Sequence, residues 1–201
     1  MREALVAAGC SVLGYALGSL PISVWLVRWR RRKDVRTVGD GNPGAVNAWK
    51  AAGWKIGVAA LVLDAAKGAV APALALWALD VYGWALLPVA VAPSLGHATS
   101  PWLRGHGGKA ITTTFGVWAA LSTWIVPTFF GLFLACLMLV QSVSAWTVVL
   151  AGALTTVALI LLRLDLPLVV AFACSLLLLA WTHRRELKTP PRFGLRARKG
   201  A

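Results

Sequence analysis

Two short polar stretches carry most of the residues in this 201-residue chain that could do chemistry. The first runs Gly39-Asp40-Gly41-Asn42-Pro43-Gly44, with Asn47 and Lys50 following. Glycines lack Cβ atoms, so a turn rich in them can bring backbone N–H groups close to an anion. Asn42-Pro43 reads as a helix start, a residue suited to the N-cap and then one suited to the first helical position. A helix launched there would turn its unpaired N–H groups and positive dipole end toward the glycines, the arrangement that binds phosphate. Asn47 and Lys50 stand three apart and share a helical face, so Lys50 would add a mobile cation. The second stretch, Gly96 to Lys109, contains His97, Gly105, His106, Gly107, Gly108 and Lys109. Histidine titrates near neutrality, which suits His97 to proton transfer. Either stretch alone could be a plain connection punctuated by Gly and Pro. Two glycine-rich, cation-bearing loops on one face make a composite phosphate site the stronger reading. His97 and His106 have no carboxylate near them in sequence and no metal-ligand spacing. Ser19, Ser142 and Ser144 lack triad partners and read as polar contacts.

These loops must be held by the apolar remainder. The chain is 59% hydrophobic, only 13% charged, and has a mean hydropathy of +0.73. That excludes an ordinary soluble domain and fits one compact membrane domain over residues 1–201, ending in a basic tail over 183–201. The formal net charge is +13. Eight of the 20 Lys and Arg residues lie between Arg28 and Lys55, and seven more follow His183, Arg196, Arg198 and Lys199 among them. Both clusters abut apolar runs, which points to a cytoplasmic membrane face and anionic headgroups rather than nucleic acid. Cys10, Cys136 and Cys174 lie in apolar runs and read as small buried hydrophobes. The first apolar run is too long for a signal peptide and is expected to span.

The pattern predicts an all-α polytopic membrane protein with about seven spans, the N-terminus outside and the C-terminus cytoplasmic. Ala4 to Val27 is the first span, with Gly14 and Gly18 available for close packing and a break at Ser19-Leu20-Pro21. Ile56 to Leu79 follows, with Asp64 and Lys67 inside it. Three apart, these two can pair with each other, or they can steady the glycine turn or a substrate at the rim. Trp84 to Leu95 is a short span. Ile111–Val126 and Thr128–Val140 form a hairpin about Pro127, and Ala145–Leu162 and Leu166–Thr182 form the last one. The tail after His183 is expected to end mobile. Trp25, Trp29, Trp84, Trp102 and Trp181 sit where interface anchors do.

These residues resemble the acyl-phosphate-dependent glycerol-3-phosphate acyltransferases of bacterial membranes, the PlsY type. Gly18-Ser19-Leu20-Pro21 matches the family's first-helix motif. Asp34, Arg36, Gly39, Gly41-Asn42, Gly44-Ala45, Asn47, Gly53, Gly57, Asp64 and Lys67-Gly68 match its first cytoplasmic motif. Gly96-His97 and Gly107-Gly108-Lys109 match the second, Ser144 the serine of the third, and His183-Arg184 a His-Arg pair in the tail. The resemblance implies a seven-helix protein of the bacterial inner membrane with a cytoplasmic site. It implies acyl transfer from acyl phosphate to glycerol 3-phosphate, giving lysophosphatidic acid and phosphate without coenzyme A, cofactor or metal. On that reading His97, Asn47 and Lys109 are catalytic. Gly39, Asp40, Gly41, Asn42, Gly44, Lys50, Gly107, Gly108, Ser144 and His183 contact phosphate or substrate, and Ser19, Arg36, Asp64 and Lys67 support them. The chain departs from the family where Asp40 replaces Ser, Val46 Thr, Lys50 Arg, His106 Lys, Ala110 Gly, Glu186 Asn and Thr189 Arg. Asp40 and Glu186 add negative charge where a dianion should bind. An acyltransferase with another acceptor, or a lipid or anion transporter, are the rival readings. The oligomeric state is not legible.

Overall fold

The structure, a computed structural model, describes residues 1–194; the basic residues Arg196, Arg198 and Lys199 lie outside them. The first rod is broken in two. Helix α1 (Arg2–Ser19) ends because Leu20, preceding Pro21, is driven to extended backbone, with ψ at 121°. Helix α2 (Ile22–Arg31) continues below the break and places Arg28, Arg30 and Arg31 in its last turn, where they complement the helix dipole. After a 3₁₀ turn over Val35–Thr37 comes α3 (Ala45–Ala52), a short helix joined at Gly53 to α4 (Trp54–Ala73). Helix α4 runs on into a π turn over Leu74–Ala78.

The remaining helices are α5 (Leu86–Ala98), α6 (Ile111–Ser122), α7 (Ile125–Val140), α8 (Ser144–Leu161) and α9 (Leu166–Thr182). The first rod, α4 and α8 are long and apolar enough to cross a membrane, and α6, α7 and α9 are shorter apolar helices. Among the described residues there is no strand, only an isolated bridge between Gln141 and Phe193. The turn of the α6–α7 hairpin falls at Thr123-Trp124, and Pro127 sits inside the first turn of α7, where its missing N–H costs nothing.

Small residues set the helix spacing. Gly14 and Gly18 of α1 lie against Pro93 of α5, and Gly68 and Gly116 bring α4 and α6 into backbone contact. Helix α5 is the hub, with most of its residues buried between α1, α6 and α9. Trp118, Phe130 and Phe172 fill the core edge-to-face, with centroids 5.2 and 5.9 Å apart. Large apolar side chains such as Leu61, Trp77, Leu132 and Leu177 face outward, the inverse of a soluble surface. Cys10 is buried, but Cys136 is exposed on α7 and Cys174 half-buried, so only Cys10 matches the expected burial.

The tail is docked as far as Gly194. Gln141 Oε1 accepts from Arg192 N, Ser142 N donates to Arg192 O, Gly194 N donates to Val140 O, and Trp146 Nε1 donates to Thr189 O. This strap lies over the α7–α8 turn, on the same end of the bundle as the two polar loops.

Candidate functional site

The two polar loops meet through Lys109. Its backbone N–H donates to Asn42 Oδ1 at 3.0 Å, and its Nζ lies 2.7 Å from Asp40 Oδ2. The tail joins them, with Glu186 Oε1 2.5 Å from the same Nζ. Ser144, at the start of α8, donates to Glu186 Oε2 at 3.2 Å. Segments far apart in sequence therefore converge on one ammonium group. Burial alone would lower the Lys109 pKa, but its hydrogen bonds to Asp40 and Glu186 outweigh that and raise it. Burial likewise pushes the Asp40 carboxyl up, and hydrogen bonds from Lys109 and Asn47 overcome it, holding the group at about 2.

A cavity of about 430 Å³ opens beside this ion triad. Asn47, Lys50, Asp64, His97, Ser144 and His183 are on its lining. Lys50 is exposed and has no acidic partner among the described residues. His183 Nδ1 lies 2.7 Å from the Leu179 carbonyl, so Nδ1 carries the proton and Nε2 keeps its lone pair. Burial lowers the His183 pKa. On the other side of the triad an outer vestibule of about 300 Å³ is walled by Arg36, His106, Arg184 and Arg185.

Beneath the cavity lies an ionic floor. Lys67 Nζ sits 2.8 Å from Asp64 Oδ1 and donates to the Leu20 carbonyl at 2.7 Å. At the Pro21 break that carbonyl accepts only a tight backbone contact from Ile22 N at 3.0 Å, and Lys67 serves it as a cationic cap. Asp64 Oδ1 has no well-directed hydrogen bond and lies 3.9 Å from His97 Nδ1, which is also 3.2 Å from Thr113 Oγ1. Asp64 and Lys67 thus do pair, and Asp64 also flanks His97. The carboxylate that sequence neighbours do not provide for His97 comes from α4. Ser19 is not on the main cavity: its carbonyl accepts from Ser100 Oγ, and it lines a small space beside Lys67.

Three expectations are corrected by geometry. Helix α3 begins at Ala45 with Gly44 as its N-cap, not at Asn42-Pro43, because Asn42's side chain reaches across to Lys109 instead. The free first-turn N–H groups are then those of Ala45, Val46 and Asn47, on the cavity lining. Asn47 is not a free donor. Its Nδ2 gives one hydrogen bond to Asp40 at 2.7 Å and one to the Asn42 carbonyl at 3.0 Å, so it holds the turn. Gly41 and Gly44 spend their N–H groups on Val38 and Asn42, and Gly107 and Gly108 spend theirs on the carbonyls of Ala98 and His97. The second loop's glycines are there for close approach, since a Cβ on Gly107 would meet the His97 carbonyl and one on Gly108 the imidazole. Arg36, expected as a support of the site, is bound to Asp34 at 2.7 Å and stands on the vestibule wall with Asp40, Gly41 and Asn42.

Sequence reasoning misses Thr113, Ser100 and the Leu20 carbonyl as supports of the floor. The Thr112–Thr114 triplet at the head of an apolar helix is the one signal that points to Thr113. Among the described residues no group of three His, Cys, Asp or Glu side chains could hold a metal ion.

An apolar helical bundle with a cation-bearing cavity at one end defines an integral membrane protein. Residues 8–190 match the family described as glycerol-3-phosphate acyltransferase, and the chain belongs to that family. A glycerol-3-phosphate acyltransferase of Maridesulfovibrio salexigens is 37% identical over 181 residues, covering 88% of this chain and 89% of that protein. Glycerol-3-phosphate acyltransferase 1 of Thermotoga maritima is 47% identical over 96 residues, and this chain spans only 47% of that relative's length. The glycerol 3-phosphate form of PlsY (YgiH), an integral membrane glycerol 3-phosphate acyltransferase, superposes with a TM-score of 0.81 at 26% identity, over 90% of each chain.

Proposed function

We propose that the protein transfers a fatty acyl group from acyl phosphate to the 1-hydroxyl of glycerol 3-phosphate in the bacterial inner membrane. Membership of the family supports acyl transfer to glycerol 3-phosphate. The observation that carries the site is Lys109, the point at which both loops and the tail meet beside a cavity that also holds Lys50 and His97. The hydroxyl oxygen attacks the acyl carbon, the carbon–oxygen bond to phosphorus breaks, and inorganic phosphate departs with the electron pair. Acyl phosphate is already activated, so alignment and charge neutralisation are the protein's main tasks. Lys109, Lys50 and the first-turn N–H groups of α3 supply that charge. Asn47 and the Gly39–Gly44 turn keep these groups in place, and Ser144 and His183 close the far wall. The hydroxyl proton has two acceptors in the chamber, His97 and an oxygen of the leaving phosphate.

The basic turn of α2 and the basic residues Arg184, Arg185, Lys188 and Arg192 lie at the cavity's end of the bundle. The positive-inside rule then makes this end cytoplasmic and puts the N-terminus outside. Lys109 stands between Asp40 and Glu186 and bonds to both, so the two carboxylates already share one cation. Purified protein given radiolabelled acyl phosphate and glycerol 3-phosphate should release phosphate and form labelled lysophosphatidate. Phosphate release with a different acylated product would mean another acceptor. No product at all would sink the enzymatic reading in favour of transport.

A further inference from the structure

A separate pocket of about 330 Å³ opens on the same end of the bundle, and the acyl-transfer site does not use it. Its walls come from three segments: Trp25 and Arg28 of α2, Arg36 of the following turn, and Trp102 and Arg104 of the loop before Lys109. The two indoles meet edge-to-face, with centroids 6.0 Å apart and planes at 78°. Behind them Val24 and Leu103 belong to the buried cluster that includes Val27 and Val35, so the floor is packed core. The loop side is also tied down: Leu103 N and Gly105 N both donate to the Ser100 carbonyl, and Arg104 holds a left-handed backbone at φ 54°.

The charge in this pocket is unbalanced. The nearby carboxylate of Asp34 is engaged by Arg36. Arg28 and Arg104 have no acidic partner within 4.0 Å among the described residues. Both are exposed, as are Trp25 at 45% and Trp102 at 63%. Paired guanidinium groups match the oxygens of a phosphate, and tryptophan is the side chain that settles at headgroup depth.

We propose that this pocket is a binding site for a lipid phosphate headgroup, gripped by Arg28 and Arg104 beside the contacting indole pair. Arg36 lines both this pocket and the outer vestibule of the acyl-transfer cavity, so the two share a wall. The same chemistry could be offered by a bilayer phosphodiester or by a single-chain phosphomonoester leaving the vestibule. Binding of a bilayer phosphodiester here does not rest on the acyl-transfer reading; binding of a departing monoester does.

Native mass spectrometry of the detergent-purified full chain tests this with phosphatidylglycerol, phosphatidylcholine, lysophosphatidate and inorganic phosphate as probes. The Arg28→Gln/Arg104→Gln variant should hold at least one of the two anionic lipids about thirty-fold more weakly, at roughly fivefold per cation. Phosphatidylcholine should bind both proteins equally. Loss confined to phosphatidylglycerol identifies a bilayer lipid, and loss confined to lysophosphatidate identifies the monoester; either supports the site. Equal affinity of wild type and variant for both anionic lipids overturns it. So does a variant-sensitive site that takes inorganic phosphate but neither lipid. Should the double Gln variant fail to fold, Arg28→Lys/Arg104→Lys keeps the charge and loses the fork. It should then weaken anionic-lipid binding several-fold, and no change there counts as refutation.

Discussion

Replacing Asp40 with Ser should strengthen binding of glycerol 3-phosphate. In the structure Lys109 is held 2.7 Å from Asp40 and 2.5 Å from Glu186, so a phosphate dianion must compete with carboxylates for this cation. The pairs are half open to solvent, with side-chain exposures of 50% at Asp40, 35% at Glu186 and 21% at Lys109. Breaking one such pair costs on the order of 0.2–1 kcal/mol. A carboxylate left about 4 Å from a dianion adds about 2 kcal/mol of repulsion even at the dielectric of bulk water. Removing Asp40 should therefore gain about 1–2 kcal/mol after the counterion atmosphere is allowed for, a five- to thirty-fold lower Kd. Serine can still accept from Asn47 and the Asn42 N–H, so the turn should hold. Equilibrium binding of glycerol 3-phosphate and steady-state KM should be measured together, since KM equals Kd only when chemistry is slow. The gain should shrink as salt rises. An unchanged or weaker Kd at low salt, with the melting temperature preserved, would refute the idea that the triad competes with substrate.

Lys109→Ala should lower turnover by at least about a hundredfold while size-exclusion and circular dichroism stay native, as expected when a preorganised charge is lost; full activity would remove Lys109 from the site. Lys67→Met leaves Asp64 buried without its cation and should destabilise by about 3–5 kcal/mol in a thermal melt in detergent, and adding Asp64→Asn should restore most of it. Ala110 carries a left-handed φ of 62°, which glycine adopts without strain, so Ala110→Gly should raise stability by roughly 0.5–1 kcal/mol in the same melt. Asp34 and Asp40 are both held at about 2, below the ordinary carboxylate range, Asp34 chiefly by its hydrogen bonds from Arg36. Their contribution is complete above about pH 4 and disappears as pH falls toward 2, so the melting temperature should drop across that window, and less steeply in Asp40→Ser.

The spans and the pairing of the two loops are legible in the sequence because long apolar runs and positive-inside charge are local signals. The Asp64–Lys67 pair is legible as one of two readings, because spacing on one helix allows it. What is not legible depends on contacts across the fold. Asn42 reads as an N-cap, yet its side chain finds Lys109 N–H, and the helix waits for Gly44. Gly107 and Gly108 look like amide donors, but their N–H groups face the unpaired carbonyls ending α5. Glu186 is placed near the phosphate site by the resemblance alone. Nothing local reveals that Gln141 and Val140 fasten that tail and swing Glu186 onto Lys109. The proximity of His97 to Asp64 and Thr113 is likewise a product of packing between α4, α5 and α6.

Helix α5 has only 13 residues, and at 1.5 Å per residue it is about 20 Å long, against about 30 Å of bilayer hydrocarbon. On the proposed function the shortfall lies at the His97 end, which puts that side chain at the bottom of a dent beneath the headgroup plane. Lifting a long acyl chain out to meet a water-soluble partner would cost on the order of 10 kcal/mol, at about 0.8 kcal/mol per methylene. A sunken reaction floor reverses the journey: the small hydrophilic reactant descends a lined shaft, and the oily one never has to leave its solvent.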